Sequence, residues 1–255
     1  MCHSDESSPP AAPGAAGART QGHGEIVLEA LDGNHFAAFV ARPEAPSGRG
    51  VVILPDIRGL HGFYRELAVR FAEIGVHAVA IDYFGRTAGI GDRSEAFDFR
   101  PHVQQTTPQG VAADVAAAAD YLRTPEGGGV SSVFTVGFCF GGGYSWRQSA
   151  DLPGLAGAIG FYGRPTLAIG AVDALRAPLL MLLGGADASL PPADAEALAA
   201  AAEQRGVPAE VIVYPGAPHS FFDRTAEANR EACDDSWTRI RAFLDAHAAA
   251  PGVSG

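Results

Sequence analysis

One cysteine in this sequence stands where a nucleophile could work. Gly137-Phe138-Cys139-Phe140-Gly141-Gly142 follows the apolar run Val133-Phe134-Thr135-Val136 and opens a helix-like stretch. A strand that bends sharply into a helix presents the residue at the bend, and its neighbours must be small. Gly137 and Gly141 supply that room, and Gly142 lets the helix pack closely. A helix N-terminus aimed at Cys139 favours the thiolate, the form of sulfur that attacks a carbonyl carbon. The N–H of Phe140 would then donate to the oxyanion formed. No Gly-x-Ser-x-Gly occurs in the chain, so no serine competes for the role. A buried structural cysteine is the plainer account of a lone Gly-x-Cys-x-Gly; the strand before it and the helix after it favour the nucleophile.

Such a nucleophile needs a base, and the base needs an orienting acid. After Cys139 the only histidines are His219 and His247. His247 lies in an Ala-rich terminal helix, whereas His219 lies in the loop Pro215-Gly216-Ala217-Pro218-His219-Ser220-Phe221 that follows a strand. His219 is therefore the expected general base. Asp187 ends Gly184-Gly185-Ala186-Asp187, directly after the apolar run Leu179–Leu183, and is the expected acid. A turn-forming aspartate is its plainer alternative. Upstream, Pro55-Asp56-Ile57-Arg58-Gly59 follows the run Val51–Leu54. Asp56 is a carboxylate at a strand end that could meet the thiol, and the N–H of Ile57 could be the second oxyanion donor. Arg58 is either a substrate ligand or part of a surface ion pair.

These residues must be positioned by strands and helices, and both patterns are present. Glu25–Leu31 and His35–Ala41 flank Asp32-Gly33-Asn34 as a hairpin. Val51–Leu54, Val76–Ile81, Val133–Gly137, Leu155–Phe161, Leu179–Leu183 and Ala209–Tyr214 read as strands. Helical spacing marks Phe63–Ile74, Val111–Leu122, a helix from about Gly141, Ala193–Gln204 and Glu227–His247. The alternation predicts an α/β fold, a mostly parallel central sheet with helices on both faces. In such sheets active sites lie at the carboxyl ends of the strands, where each candidate above falls. Residues 84–109 form a connection too long for the pattern, and long connections in compact folds are often functional. They carry Arg86, Arg93, Arg100, Phe97, Phe99 and His102, and read as a flap or a partly helical surface excursion.

The remaining composition bounds the function. The 255 residues are enough for one α/β domain, placed at 24–250. Residues 1–23 are rich in Pro, Ala, Gly and Ser and read as a disordered tail. The net charge of −11 repels phosphate backbones and anionic lipid, so neither nucleic acid nor membrane is an expected partner. There are 18 Arg and no Lys, which excludes a Walker A loop, a Schiff-base lysine and a Ser-Lys dyad. Cys2, Cys139 and Cys233 are too few for a disulfide framework, and the N-terminus lacks the regions of a signal peptide. A cytoplasmic protein, monomeric or homodimeric, is expected.

Four segments together resemble the dienelactone hydrolases, carboxymethylenebutenolidases of the α/β-hydrolase superfamily. They are Pro-Asp-Ile-Arg-Gly-Leu (55–60), Gly-Phe-Cys-Phe-Gly-Gly (137–142), Leu-Gly-Gly-Ala-Asp (183–187) and Tyr-Pro-Gly-Ala-Pro-His-Ser-Phe (214–221). The resemblance spans about residues 24–247. It implies a Cys139–His219–Asp187 triad, hydrolysis of a lactone or ester through an acyl-enzyme, and no metal or cofactor. It also implies two departures. The family carries Glu where Asp56 stands, one methylene longer, to pair with the resting thiol. Members that cleave dienelactone bind its carboxylate with arginines, one four residues after the histidine. Here that position is Asp223, and Arg224 follows it. The other arginine lies in the long loop, where Arg93 and Arg100 are candidates. Arg58, Phe97 and Phe221 complete the candidate substrate ligands. The alternatives are a broad esterase for neutral aryl or enol esters, a thiol redox sensor and a non-catalytic homologue.

Overall fold

The computed structural model describes residues 4–15, 18–223 and 226–249. The hairpin forms as β1 (Thr20–Glu29) and β2 (His35–Pro43), closed where the Ala30 N–H donates to the Asn34 carbonyl over 2.9 Å. Gly33 takes φ 82° in that turn, a left-handed conformation that glycine adopts without a Cβ clash. The strands β3 (Arg49–Leu54), β4 (His77–Ile81), β5 (Ser132–Phe138), β6 (Gly157–Phe161), β7 (Leu179–Gly184) and β8 (Ala209–Tyr214) follow. The eight strands lie in the order β1-β2-β4-β3-β5-β6-β7-β8. β1, β2 and β4 pair antiparallel, and every pairing from β4 through β8 is parallel.

The central strands are apolar throughout because both faces are covered. Val51 and Ile53 face one core, against α1 (Gly62–Glu73) and α8 (Arg230–His247). Val52 and Leu54 face the other, against α4 (Pro108–Arg123), α5 (Phe140–Asp151) and α7 (Pro192–Glu203). α4 begins where the Thr107 hydroxyl accepts the Gly110 N–H over 3.1 Å, with Pro108 in the first turn.

The 84–109 connection is partly helical. It contains the short helices α2 (Gly85–Ala88) and α3 (Arg100–Gln105) and runs into α4 at Pro108, with Phe97, Phe99 and Val103 packed on the second core. Residues 4–15, expected as a disordered tail, lie against the fold as a strap. Ala12 and Ala15 belong to the first core, and the Trp237 indole donates to the Pro10 carbonyl over 3.0 Å. Small residues read as tail-like in composition here pack into a core. Among the described residues no helix is long and apolar enough to cross a membrane.

Candidate active site

Cys139 joins β5 to α5 at φ 52° and ψ −110°, a backbone region that a residue with a Cβ enters only under constraint. The constraint comes from the flanking glycines. A Cβ on Gly137 would lie 2.0 Å from the Gly141 carbonyl oxygen, and one on Gly141 2.2 Å from that of Pro55. A Cβ on Gly142 would meet the Phe161 carbonyl at 2.7 Å. The start of α5 therefore sits directly on the ends of β3 and β6. The Cys139 N–H donates to the Phe161 carbonyl over 3.0 Å, and its side chain remains half-buried. Phe140 is the first residue of α5 and Ile57 lies just beyond β3, so the close contact of Gly141 with Pro55 brings both near the turn.

The second half of the constellation is assembled at the ends of β7 and β8. The Gly185 N–H donates to Tyr214 and the Ala186 N–H to Ala217, each over 2.9 Å, so the two loops are stitched together. A Cβ on Gly184 would strike the Ala217 and Pro218 carbonyls, which is why a glycine ends β7. The stitching delivers Asp187 to His219: Nδ1 and the carboxylate Oδ2 are 2.6 Å apart. The other Asp187 oxygen accepts the N–H groups of Ser189 and Leu190, at 2.8 and 3.2 Å. The carboxylate is buried and the imidazole partly exposed, so Asp187 fixes the ring at its Nδ1 edge. The His219 ring lies 4.9 Å from that of Tyr162, whose hydroxyl donates to Asp223 over 3.1 Å.

Asp56 is wholly buried beside the same turn. Its Oδ1 accepts the Arg58 N–H over 2.8 Å and lies 3.6 Å from His61 Nε2. Tyr83, just past β4, donates its hydroxyl to the Pro55 carbonyl over 2.8 Å and also meets the Asp56 carbonyl. Burial pushes the Tyr83 phenol well above its ordinary range, and negative charge on Asp56, Asp82, Cys139 and Tyr144 adds to the effect. Tyr83 is thus a neutral donor within electrostatic reach of both Asp56 and Cys139. Tyr83 and His61 were missed in the sequence, although the strand-end rule that selected Asp56 and Asp187 also marks the residues after Ile81.

The candidate substrate ligands are placed differently from expectation. Arg93 turns inward, 3% exposed, and pairs with Asp82 at 2.9 Å because that buried carboxylate needs a counter-charge. Its guanidinium also stacks 4.4 Å from the Phe97 ring centre, so Phe97 serves this ion pair. Arg100 points to solvent beside Asp98. Phe221 is fully buried among Tyr162, Phe161 and Tyr214 and is a core residue rather than a substrate contact. The Arg58 guanidinium is buried against Asp5 and the Arg93 carbonyl. Arg224 lies outside the described residues. Among those described, no group of three or more His, Cys, Asp or Glu could hold a metal ion.

A mostly parallel sheet with a strained strand-to-helix turn after its central strand, and a paired aspartate and histidine after later strands, defines an α/β-hydrolase fold. The sequence profile of the dienelactone hydrolase family matches residues 36–248, and the chain belongs to that family of ester- and lactone-cleaving hydrolases. A candidate carboxymethylenebutenolidase of Saccharolobus solfataricus is 28% identical over 84% of this chain and 95% of its own length. One from Synechocystis sp. is 31% identical over 81% of this chain and 89% of its own. The crystal structure of a candidate dienelactone hydrolase from Klebsiella pneumoniae superposes with TM-score 0.74 at 28% identity, covering 87% of this chain and 99% of that one.

Proposed function

We propose that the protein hydrolyses lactones and activated carboxylic esters through a Cys139–His219–Asp187 triad. The observation that carries this reading is the strained half-buried Cys139 at the head of α5, in a fold that also joins His219 to Asp187 at 2.6 Å. The thiol proton passes to His219 or Asp56, and the thiolate forms a C–S bond to the substrate carbonyl carbon. The oxyanion is held by the N–H groups of Ile57 and Phe140, each worth about 3 kcal/mol in the transition state. The C–O bond then breaks, and the leaving alkoxide or enolate takes that same proton from whichever of the two groups accepted it. Water attacks the thioester with His219 as base, releasing carboxylic acid and restoring the thiol. A thiolate is itself a good leaving group, so enol esters, aryl esters and strained lactones fit better than alkyl esters or amides.

Neutral substrates are favoured over an anionic dienelactone. Arg93 is committed to Asp82, and Asp223 occupies the place of the family's other arginine with its carboxylate on Tyr162. A redox-sensing role has little support, because burial pushes the Cys233 thiol up to about 12 and removes it as a resolving partner. The test is mass spectrometry of enzyme quenched during turnover of 4-nitrophenyl acetate. An acetyl adduct is expected on Cys139 and no turnover in Cys139→Ala. Full activity in that variant, or an adduct elsewhere, would refute the assignment.

A further inference from the structure

Asp5 lies at one end of the N-terminal strap, far in sequence from every residue of the candidate site. Its carboxylate sits on the Arg58 guanidinium, and its other oxygen accepts the Glu95 N–H over 3.0 Å. The contact is reciprocal, since the Asp5 N–H donates to the Glu95 carboxylate over 3.0 Å. Arg58 Nη2 also donates to the Arg93 carbonyl over 3.2 Å. One carboxylate therefore gathers three segments: the strap, the stretch 89–99, and the loop 55–60 that holds Asp56 and Ile57.

The charges explain why the node holds. The Arg58 side chain is only 2% exposed, and a buried guanidinium without a counter-charge is costly. The Glu95 N–H, and after it Arg58, holds the Asp5 carboxyl below its usual range, so it is ionised near neutral pH. The strap has separate anchors at Pro10 and Ala12, so losing the Asp5 carboxylate need not unseat it. The Asp5 side chain is 46% exposed, which leaves a route for a small anion to the guanidinium.

We propose that Asp5 is a positioning residue for the reaction: through Arg58 it holds the loop bearing Asp56 and Ile57, at a site that accepts a small carboxylate in its place. The role given to that loop rests on the function proposed above. Removing the carboxylate takes one counter-charge from the buried Arg58 guanidinium, and the loop shifts with it. A displacement of about 1 Å at a reacting group costs on the order of a hundredfold in rate, so a tenfold to hundredfold fall is the scale expected here.

The experiment uses the full chain as wild type, Asp5→Gly, Asp5→Glu and Asp5→Gly/Arg58→Met, with 4-nitrophenyl acetate as substrate. Asp5→Gly should lose roughly tenfold or more in kcat, with KM within about twofold. Sodium formate should restore much of it, while sodium chloride at equal ionic strength should not. Asp5→Glu should keep most of the activity, and formate should leave the double variant unchanged. Wild-type kcat in Asp5→Gly, or a loss that neither formate nor Asp5→Glu recovers, overturns the proposal. Thermal midpoints give a readout separate from turnover: formate should raise that of Asp5→Gly and not that of the double variant. Wild-type enzyme inert to the ester, with that midpoint pattern intact, would count against the hydrolase reading and for the carboxylate site. No midpoint response to formate would count against the site itself.

Discussion

Tyr83 shows how much one buried hydroxyl can organise. It ties the Pro55 and Asp56 carbonyls together, one residue before the Ile57 N–H proposed to meet the oxyanion. Tyr83→Phe keeps the ring packing against Phe84 and Phe140 and removes only the donor. The expected cost is about 1–2 kcal/mol of stability, because two buried carbonyls lose a partner. The loop should also loosen, lowering kcat by roughly tenfold with little change in KM. Chemical denaturation and steady-state kinetics on an aryl ester check both. Unchanged kcat would mean that the hydroxyl serves packing alone. Arg93 teaches the converse: an arginine in a promising loop is spent on Asp82, within the protein's own interior.

At the scale of elements, the junction of β5 with α5 depends on absent side chains. Gly141 faces backbone oxygens of Pro55 and Leu54 at 2.2 and 2.3 Å from an added Cβ, and backbone cannot step aside as a side-chain tip can. Gly141→Ala should therefore separate α5 from β3, destabilise by about 3 kcal/mol and remove activity. Gly24 in β1 has open space around it, so Gly24→Ala should gain about 0.5–1 kcal/mol and leave activity unchanged. Urea melts of the two variants test the contrast. Equal effects would show that strand propensity, rather than close approach of the elements, governs both positions.

Across the whole molecule, one carboxylate network links the β1–β2 turn to α2 and α4. Arg86 reaches Asp114 at 2.9 Å and Asp32 at 2.6 Å, and the Asn34 amide donates to Asp114 over 3.0 Å. Burial raises Asp114 from 3.8 to about 6 against the pull of Arg86 and Asn34. The folded state therefore binds this proton more tightly than the unfolded chain. The contribution of Asp114 to stability must rise as pH falls from about 6 towards 4, and fall as pH rises through the same window. His77 acts with the opposite sign, because burial lowers its value below 6.5 and protonation on acidification opposes folding. The two are separated by comparing melting temperatures of wild type and Asp114→Asn. The wild-type value should gain on the variant between pH 6 and 4; a constant difference would contradict the shift.

The sequence alone determined the repeating strand–helix pattern and the positions of Cys139, Asp187 and His219 along it. Both follow from local rules: periodicity of apolar residues, glycines at a bend, polar residues just past strand ends. It equally marked Asp56. Tertiary structure alone decided which arginines face inward, because a guanidinium on a long stem goes to whichever carboxylate the fold buries nearby. It decided that Phe221 is core, that Tyr83 and His61 stand beside Asp56, and that the first fifteen residues include a strap on the Trp237 indole. Most of those facts depend on contacts between residues tens to hundreds of positions apart, and no local pattern carries them.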